Sequence, residues 1–203
     1  MKIQLHGYGK MGQMVEKLAL KKGYTIADQG DVCIDFSSAE GVIANLKNCV
    51  KQNIPVVIGT TGWEHHLEEA KEIAQDGCAL YAPNFSLGIA LLGKLIEQTA
   101  KALPCAEKAG LDLHHSQKKD APSGTAKRLS SQFSIPFSSM RIGSAYGTHE
   151  VIFETDNDRI TLKHEAKNRE GFAAGALAVA EWIIDQKGWL TLDDYLHSTH
   201  HSI

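Results

Sequence analysis

Hydrophobic residues in the first 85 positions alternate between short apolar runs and segments with a helical repeat. The apolar runs, which are typical of buried strands, cover residues 2–6, 24–27, 32–35, 53–58 and 77–82. Helical spacing follows the first run, with Met11, Val15, Leu18 and Ala19 on one face, and it recurs after the later runs. Strands that alternate with helices predict a parallel sheet with crossover helices.

The pattern changes after Pro104. Strand-like runs cover residues 109–115, 140–143 and 149–155, and a turn at 156–158 leads into 159–166, where apolar and polar positions alternate. This pattern predicts a hairpin, and we expect an antiparallel or mixed sheet in a second domain. A final helix over residues 171–187 is apolar enough to pack against the first sheet. The expected fold class is α/β, with a parallel-sheet domain at 1–85 and 170–203 and an α+β domain at 86–169.

Composition excludes few classes of protein. The chain is 43% hydrophobic and 22% charged, as globular proteins are, and its net charge of -3 gives no reason to expect nucleic acid or an anionic membrane as a partner. No apolar run is long enough to span a bilayer and we find no signal peptide, so we expect a cytoplasmic protein. The widely spaced cysteines favour free thiols over disulfides or a metal site. His197, His200 and His201 could catch a metal adventitiously, but a frayed, solvated tail is the better explanation, and we predict no metal site.

The first strand leads directly into Gly7-Tyr8-Gly9-Lys10-Met11-Gly12 and a helix. Strand, G-x-G-x-x-G and helix is the order that the dinucleotide-binding fingerprint requires. Gly7 permits the tight turn, Gly9 lets the backbone approach a pyrophosphate, and Gly12 lets helix and strand pack closely. The start of the helix adds free N–H groups and the positive end of its dipole. We therefore predict a Rossmann-type dinucleotide-binding domain.

Two further segments of this half are candidates for ligand contacts. Asp28 lies about 20 residues beyond the first glycine, where an acid that binds the adenine ribose is expected, although a turn before Gln29-Gly30 explains it equally well. Gly59-Thr60-Thr61-Gly62 follows a strand, at the position where open α/β sheets bind ligands. Ser38 is a candidate N-cap of the helix that follows it.

Residues 114–125 of the second domain read His-His-Ser-Gln-Lys-Lys-Asp-Ala-Pro-Ser-Gly-Thr. Imidazoles titrate near neutrality and lysine supplies a mobile cation, so this stretch can move protons and hold an anion. Its Ser-Gly-Thr turn opens a helix at 126–133, whose first N–H groups can bind a carboxylate or a phosphate. Ser123 and Asp120 shape that turn or cap the helix. In isolation, a polar surface loop that enters a helix would be the simpler interpretation.

These segments together resemble the dihydrodipicolinate reductase family, nearly from end to end. The most specific match is His-His-x-x-Lys-x-Asp-Ala-Pro-Ser-Gly-Thr-Ala at residues 114–126. Further matches in order and spacing are Gly7–Gly12, Asp35-Phe36-Ser37, Gly59–Gly62, Asn84-Phe85-Ser86, Gly147-x-His149 and Arg169-x-x-Phe172-Ala173-x-Gly175-Ala176. The family reduces an unsaturated cyclic imine with two carboxylates in the diaminopimelate route to lysine.

The resemblance implies a nicotinamide-binding Rossmann domain, a substrate domain whose sheet assembles a homotetramer, and a closing hinge between them. It implies cofactor contacts from Gly7, Tyr8, Gly9, Lys10, Met11 and Gly12, and from Gly59, Thr60, Thr61, Ala82, Pro83, Asn84 and Phe85. It makes His114 the donor and acceptor of a proton and Lys118 a proton donor. His115, Gly124 and Thr125 become contacts to a dicarboxylate substrate.

The chain departs from the family in two places. It is shorter than usual, and the loss falls largely between Ala27 and Asp31, where the adenine-ribose pocket would be completed. Some relatives carry a cationic loop there for a 2′-phosphate, whereas Asp28 and Asp31 favour NADH on charge, so the expected cofactor is NADH or NADPH, with dual use left open. Ser116-Gln117 stands where many relatives have Arg-His. A substrate contact from that side is therefore missing or supplied elsewhere.

Two histidines on predicted strands have two interpretations. His149 and His164 are expected to be hydrogen-bonded structural histidines, although the family places Gly147-x-His149 near the active site.

Other classes of protein explain only parts of the sequence. A different Rossmann-type reductase, such as an amino-acid dehydrogenase, needs the glycine loop but not His-His-x-x-Lys followed by Ser-Gly-Thr. A nucleotide-sensing module without activity would be expected to lose its proton donors, and both His114 and Lys118 are present. A methyltransferase has no use for Lys118 beside an anion site. We therefore expect an NAD(P)H-dependent oxidoreductase.

Overall fold

The computed structural model describes residues 1–199, which form two compact units. One unit consists of Met1–Leu87 and residues 170–199, and the other of Gly88–Arg169. In chain order the strands are β1 (Lys2–His6), β2 (Thr25–Ile26), β3 (Val32–Asp35), β4 (Val56–Ile58), β5 (Cys78–Tyr81), β6 (Glu107–His114), β7 (Phe137–Arg141), β8 (Thr148–Glu154), β9 (Arg159–Glu165) and β10 (Gly188–Leu190). The α-helices are α1 (Lys10–Lys21), α2 (Val42–Lys51), α3 (Leu67–Ala74), α4 (Leu87–Ala102), α5 (Gly124–Phe133), α6 (Glu170–Ile183) and α7 (Leu192–Thr199), and a 3-10 turn, Glu64–His66, precedes α3.

The first unit is built on a six-stranded parallel sheet with the strand order β10-β5-β4-β3-β1-β2. Strands β3 and β4 are buried along their whole length because helices cover both faces of the sheet. Ile34 and Val57 belong to the core formed with α1 and α6, whereas Cys33 and Val56 belong to the core formed with α2 and α3. The predicted Rossmann-type domain is confirmed, including the return of the last long helix to this sheet.

The connection between β2 and β3 is the main departure from a regular doubly wound sheet. Residues 27–31 join the two strands directly and cross the amino end of β1, where the Ala27 N–H donates to the Ile3 carbonyl at 3.0 Å and the Asp31 N–H donates to the Lys2 carbonyl at 2.8 Å. The Lys2 N–H in turn donates to the Asp31 carboxylate at 2.7 Å. Only a glycine fits at position 30, since a Cβ there would lie 2.5 Å from the Gln4 nitrogen.

The helix after β3 starts later than predicted. Its N-cap is Gly41, and the Gly41 N–H donates to the Ser38 carbonyl at 3.0 Å. Ser38 therefore opens a turn that precedes the helix, and its prediction as the N-cap is wrong. The physical reason is that the extra turn satisfies the backbone before the helix begins.

The C-terminal segment contains two elements that the sequence analysis missed. Strand β10 extends the sheet beside β5, and α7 follows it, with Trp182 and Tyr195 in edge-to-face contact at 5.5 Å. The prediction of a frayed tail is therefore wrong up to residue 199, because a three-residue strand is too short to show periodicity. His197 lies exposed on α7, and His200 and His201 lie outside the described residues.

The second unit is a mixed sheet with the strand order β7-β6-β8-β9. Strands β6 and β7 are parallel, and the other two pairs are antiparallel, with the predicted hairpin between β8 and β9. Helices α4 and α5 contribute Leu92 and Leu129 to the core on one face, where they meet Phe153. On the opposite face of the sheet, Leu113 of β6 is the register partner of Met140 of β7, which is 48% exposed.

Candidate active site

Residues 114–125 run from the end of a strand to the start of a helix. Strand β6 ends at His114, and α5 begins at Gly124 with Ser123 as its N-cap. The Ser123 hydroxyl accepts a hydrogen bond from the Ala126 N–H at 3.2 Å, as expected for a capping serine. The N–H groups of Gly124 and Thr125 lie in the first turn, where a helix has no internal acceptors for them. The loop therefore ends in a site that suits an anion.

Asp112 lies at the centre of the surrounding side chains and is fully buried. Its Oδ2 accepts hydrogen bonds from the Ser123 N–H at 2.8 Å, the Arg141 guanidinium at 2.9 Å and the Ser139 hydroxyl at 3.1 Å. Burial opposes the charge on Asp112, but the hydrogen bonds from Ser123 and Arg141 outweigh it and lower the pKa of this carboxyl to about 2. Asp112 is thus a carboxylate at neutral pH.

Two imidazoles lie beside that carboxylate. His114 Nδ1 is 2.9 Å and His149 Nε2 is 3.5 Å from Asp112 Oδ1, and the two rings meet edge to face at 5.3 Å. Burial lowers the pKa of His149 to about 4, although Asp112 acts in the opposite direction. Burial also lowers the pKa of His114, again against Asp112. Both rings are therefore neutral at pH 7 and lie next to a charge that favours their protonated form.

Gly147 determines where the His114 ring can sit. Its φ is +149°, and a Cβ at this position would lie 2.8 Å from His114 Nε2. Any side chain larger than hydrogen would push the imidazole out of place. The glycine is thus required by a close approach as well as by its backbone angle.

Lys118 is held by the loop itself. Its ammonium group lies 2.7 Å from the Asp120 carboxylate, and its backbone N–H donates to the His115 carbonyl at 3.1 Å. The positive charge of Lys118 adds to the effect of burial, since both lower the pKa of His114. The Ser116 backbone N–H donates to the Gly143 carbonyl at 3.1 Å.

The glycine loop of the first unit has the shape of a phosphate site. Gly7 has φ +87°, and a Cβ there would lie 2.2 Å from the Phe36 carbonyl oxygen. A Cβ on Gly12 would lie 2.2 Å from the Gly7 carbonyl oxygen, so α1 can pack on the loop only through a glycine. At Gly9, by contrast, an added Cβ would meet no heavy atom of the described residues within 4 Å. The loop is tight on its protein side and open at Gly9, beside the start of α1, and it fits a dinucleotide pyrophosphate.

Asp35 connects the neighbouring loops. Its Oδ1 accepts hydrogen bonds from the Ser37 N–H and the Thr60 hydroxyl, both at 2.8 Å, and its backbone carbonyl accepts from the Gly59 N–H at 2.8 Å. Gly59 is also tight, because a Cβ would lie 2.1 Å from the Phe36 ring. The candidate cofactor residues Gly59 and Thr60 are thus fixed against the end of β3, whereas Thr61 is exposed.

The last predicted cofactor segment follows β5. The Ala82 N–H donates to the Ile58 carbonyl at 3.1 Å, and the Asn84 side chain accepts from the Ser86 N–H at 2.8 Å. Phe85 is buried, with its carbonyl against Gly175 of α6, where a Cβ would lie 1.9 Å away. Loops after β1, β3, β4 and β5 therefore line one edge of the sheet, as parallel strands require.

Asp28 lies away from that edge. Strand β2 ends at Ile26, which pairs with Ile3, whereas β1 continues to His6 before the glycine loop begins. Three residues of strand correspond to roughly 10 Å. The structure thus places Asp28, exposed, in the turn that leads back to β3, and both interpretations of this residue still apply.

A second group of ligand-type side chains lies in the first unit. His6, Cys33 and Cys49 place nitrogen and sulfur atoms within 4.8 Å of one another. His6 Nδ1 is 3.8 Å from Asp35 Oδ2, and hydrogen bonding to this carboxylate raises the pKa of the histidine. Cys33, Cys49, Cys78 and Cys105 are all free.

No helix among residues 1–199 combines the length and the hydrophobicity that a bilayer span needs.

Comparison with known proteins decides the family. The profile for the N-terminus of dihydrodipicolinate reductase matches residues 20–85, and the profile for its C-terminus matches residues 88–196. The chain belongs to the dihydrodipicolinate reductase family. A 4-hydroxy-tetrahydrodipicolinate reductase of Christiangramia forsetii is 35% identical over 233 positions, which cover 97% of this chain and 98% of the relative. One from Archaeoglobus fulgidus is 33% identical over 221 positions, covering 95% of this chain and 84% of that protein.

A solved reductase of the family shares the fold. The dipicolinate-bound dihydrodipicolinate reductase of Paenisporosarcina sp. TG-14 superposes with a TM-score of 0.83 at 21% identity, over 94% of this chain and 97% of that one. The alignment with the Christiangramia forsetii reductase runs over 233 positions, more than the 203 residues of this chain, so that relative carries insertions. The direct β2–β3 connection agrees with a shortened chain at residues 27–31.

Asp112 is the main residue of the site that the sequence analysis missed. The predicted strand that contains Asp112 also carries His114, and the period of two along a strand places both side chains on the same face. The spacing of two residues between Asp112 and His114 is the feature from which the sequence could have predicted that Asp112 lies beside His114. His149, predicted to be structural, lies within 3.5 Å of the same carboxylate and belongs to the cluster.

Proposed function

We propose that this chain is a 4-hydroxy-tetrahydrodipicolinate reductase that uses NADH or NADPH. The observation that carries the proposal is the pairing of His114 with the buried Asp112 carboxylate at the end of β6, beside the Gly124 and Thr125 N–H groups. A proton donor and an anion site together suit a substrate that carries carboxylates and needs a proton when it is reduced. Family membership supplies the substrate class.

A reduced nicotinamide supplies the hydride, and the protein binds, orients and protonates. Hydride addition to a conjugated C=C–C=N system leaves negative charge on nitrogen, so an acid nearby must deliver a proton. Lys118 Nζ is the proposed donor, and His114 is the proposed donor and acceptor. General acid catalysis of this kind contributes about 10²- to 10⁴-fold.

The substrate carboxylate is proposed to bind at the start of α5. The N–H groups of Gly124 and Thr125 and the Thr125 hydroxyl would hold it, with His115 on the other side of the loop. Gly124 supports this because an added Cβ there would meet no heavy atom of the described residues within 4 Å. A carboxylate at this position also interacts favourably with the helix dipole.

The cofactor is proposed to lie along the edge of the parallel sheet. Its contacts at that edge would come from Gly7, Tyr8, Gly9, Lys10, Met11, Gly12, Gly59, Thr60, Thr61, Ala82, Pro83, Asn84 and Phe85, and its adenine ribose would extend beyond the edge to reach Asp28. Asp31 is bound by the Lys2 N–H, so Asp28 is the acid still available to a ribose. A carboxylate there would bind a 2′-hydroxyl and repel a 2′-phosphate, which favours NADH.

The proposed role of Asp28 predicts the cofactor preference of a variant. In Asp28→Asn the affinity for NADPH should rise relative to NADH, because the repelling charge is gone, and fluorescence titration with both cofactors measures the ratio. An unchanged ratio would leave Asp28 as a turn residue.

A homotetramer and a cytoplasmic location complete the proposal. The face of the second sheet opposite its core carries the half-buried Leu113 and the exposed Met140 beside the charged neighbours Glu150 and Lys163, and this mixed surface suits contact with another copy of the chain. Native mass spectrometry of the purified chain tests the stoichiometry. The four free cysteines fit a reducing compartment.

The test of the function is an absorbance assay of the purified chain with freshly prepared substrate and each cofactor in parallel. We expect oxidation of the reduced nicotinamide that depends on the substrate. Absence of oxidation with both cofactors would defeat the proposal.

A further inference from the structure

A row of polar side chains crosses the second sheet. Ser139, Asp112, His149 and His164 are direct neighbours on β7, β6, β8 and β9. Paired residues on adjacent strands point to the same face, and here it is the face that also carries the core. Asp112 and His149 in the middle of the row are buried. Buried polar groups are costly unless they have partners, so this row requires a physical account.

The two oxygens of Asp112 have different surroundings. Oδ2 accepts three hydrogen bonds, from Ser123, Arg141 and Ser139. Oδ1, by contrast, has no hydrogen-bond partner among residues 1–199, although His114 Nδ1 lies 2.9 Å from it. A small rotation of the His114 ring would align the Nδ1–H with Oδ1. One carboxylate oxygen is thus fixed by the scaffold, and the other is left to the imidazole.

We propose that Asp112 is a positioning residue of the reductase reaction, which orients His114 through Oδ1 and the start of α5 through Oδ2. This inference depends on the proposed function, because it assigns how the proposed proton donor is held. With Nδ1 directed at Asp112, the His114 proton that is exchanged with substrate is the one at Nε2. Gly147 keeps that side of the ring clear, since a Cβ there would lie 2.8 Å from Nε2.

Arg141 extends the effect of Asp112 to the loop that carries Lys118. Its guanidinium donates to the Asp112 carboxylate at 2.9 Å and to the Asp120 carbonyl at 2.6 Å. Asp120 in turn pairs with the Lys118 ammonium at 2.7 Å. Asp112 therefore holds the loop at two points, at Ser123 directly and at Asp120 through Arg141.

The charge of Asp112 matters for protonation of His114 because of the groups that surround the ring. Asp112 from β6 and Asp120 from the following loop favour the imidazolium, whereas Lys118 from that loop and Arg141 from β7 oppose it. His149 from β8 is a further titratable neighbour, with its ring centroid 5.3 Å from that of His114. Removal of the Asp112 charge leaves the two cations dominant, and His114 becomes harder to protonate.

The decisive variant is Asp112→Asn, which keeps the shape and removes the charge. We expect the titration of His114, followed by nitrogen NMR of the imidazoles, to move to lower pH by about one unit or more. The acidic limb of the pH profile of kcat should move with it, and kcat should fall about 10²-fold. Affinity for NADH should change less than about twofold, since the cofactor residues lie in the other unit.

Two further variants separate charge from structure. Asp112→Glu retains the charge and should recover most of the His114 titration, although not the full rate. Ser139→Ala removes one hydrogen bond to Oδ2 but leaves the charge, and its pH profile should match that of the unmodified enzyme. An Asp112→Asn protein with the original His114 titration and pH profile would overturn the proposal.

The unmodified protein also tests the inference if Asp112→Asn does not fold. The nitrogen chemical shifts of neutral His114 should show its proton on Nδ1, facing Asp112. A proton on Nε2 instead would overturn the proposal. This measurement needs no turnover, so failure of the positioning role is distinguishable from failure of the proposed function, which the activity assay tests separately.

Discussion

Replacement of Lys118 by alanine separates catalysis from folding more cleanly than any other change in the loop. Lys118 pairs with Asp120 at 2.7 Å, but the two side chains are 24% and 46% exposed. An ion pair that is open to solvent contributes about 0–1 kcal/mol, so Lys118→Ala should leave the free energy of unfolding nearly unchanged. Loss of a proton donor, by contrast, should lower kcat about 10²- to 10⁴-fold, which corresponds to about 3–5 kcal/mol of activation free energy.

Lys119 provides the matched control for that experiment. It is the next residue along the chain, it is exposed, and it carries the same charge. Steady-state kinetics of Lys118→Ala and Lys119→Ala should therefore differ by at least about tenfold in kcat, while both bind NADH with the original affinity in a fluorescence titration. The reasoning would be refuted if Lys118→Ala weakened NADH binding as much as it lowered turnover, or if the two variants lost the same activity.

Two other predictions concern the cofactor loop and the buried imidazole. Gly12→Ala should raise the Kd for NADH at least about tenfold, because a Cβ 2.2 Å from the Gly7 carbonyl must displace the loop. Calorimetry measures this Kd, and an unchanged value would contradict the assigned role of the loop. Burial lowers the pKa of His149 to about 4 from its ordinary 6.5, so the unfolded chain takes up this proton first and the folded protein loses stability as the pH falls through that range. Between pH 7 and pH 4.5, the free energy of unfolding in urea should fall by up to about 3 kcal/mol less for His149→Gln than for the unmodified protein. An equal fall in both proteins would show that His149 is not held neutral.

Local pattern was sufficient to predict much of the fold. Continuous apolar runs such as Val56–Ile58 are expected only of strands covered on both faces, and the structure confirms this. The glycine loop was predictable because Gly7 and Gly12 are required by backbone contacts within one turn of chain, which a motif records. The hairpin between β8 and β9 likewise depends on neighbouring residues.

The features that the sequence did not predict depend on partners distant along the chain. Asp112 is recognisable as a buried carboxylate only when Ser123 and Arg141 are known to donate to it. Strand β10 is defined by its pairing with β5 rather than by its own three residues. The direct β2–β3 connection depends on Gly30, which fits against β1 in a way that periodicity does not record.

The central claim is that this chain transfers a hydride from a reduced nicotinamide to a cyclic imine dicarboxylate. The most direct measurement uses NADH with deuterium at the transferable position of the ring, followed by mass spectrometry of the product. The account predicts that the reduced product carries the deuterium and that Lys118→Ala forms it far more slowly. A product without deuterium, or oxidation of the cofactor that does not depend on the substrate, would contradict it.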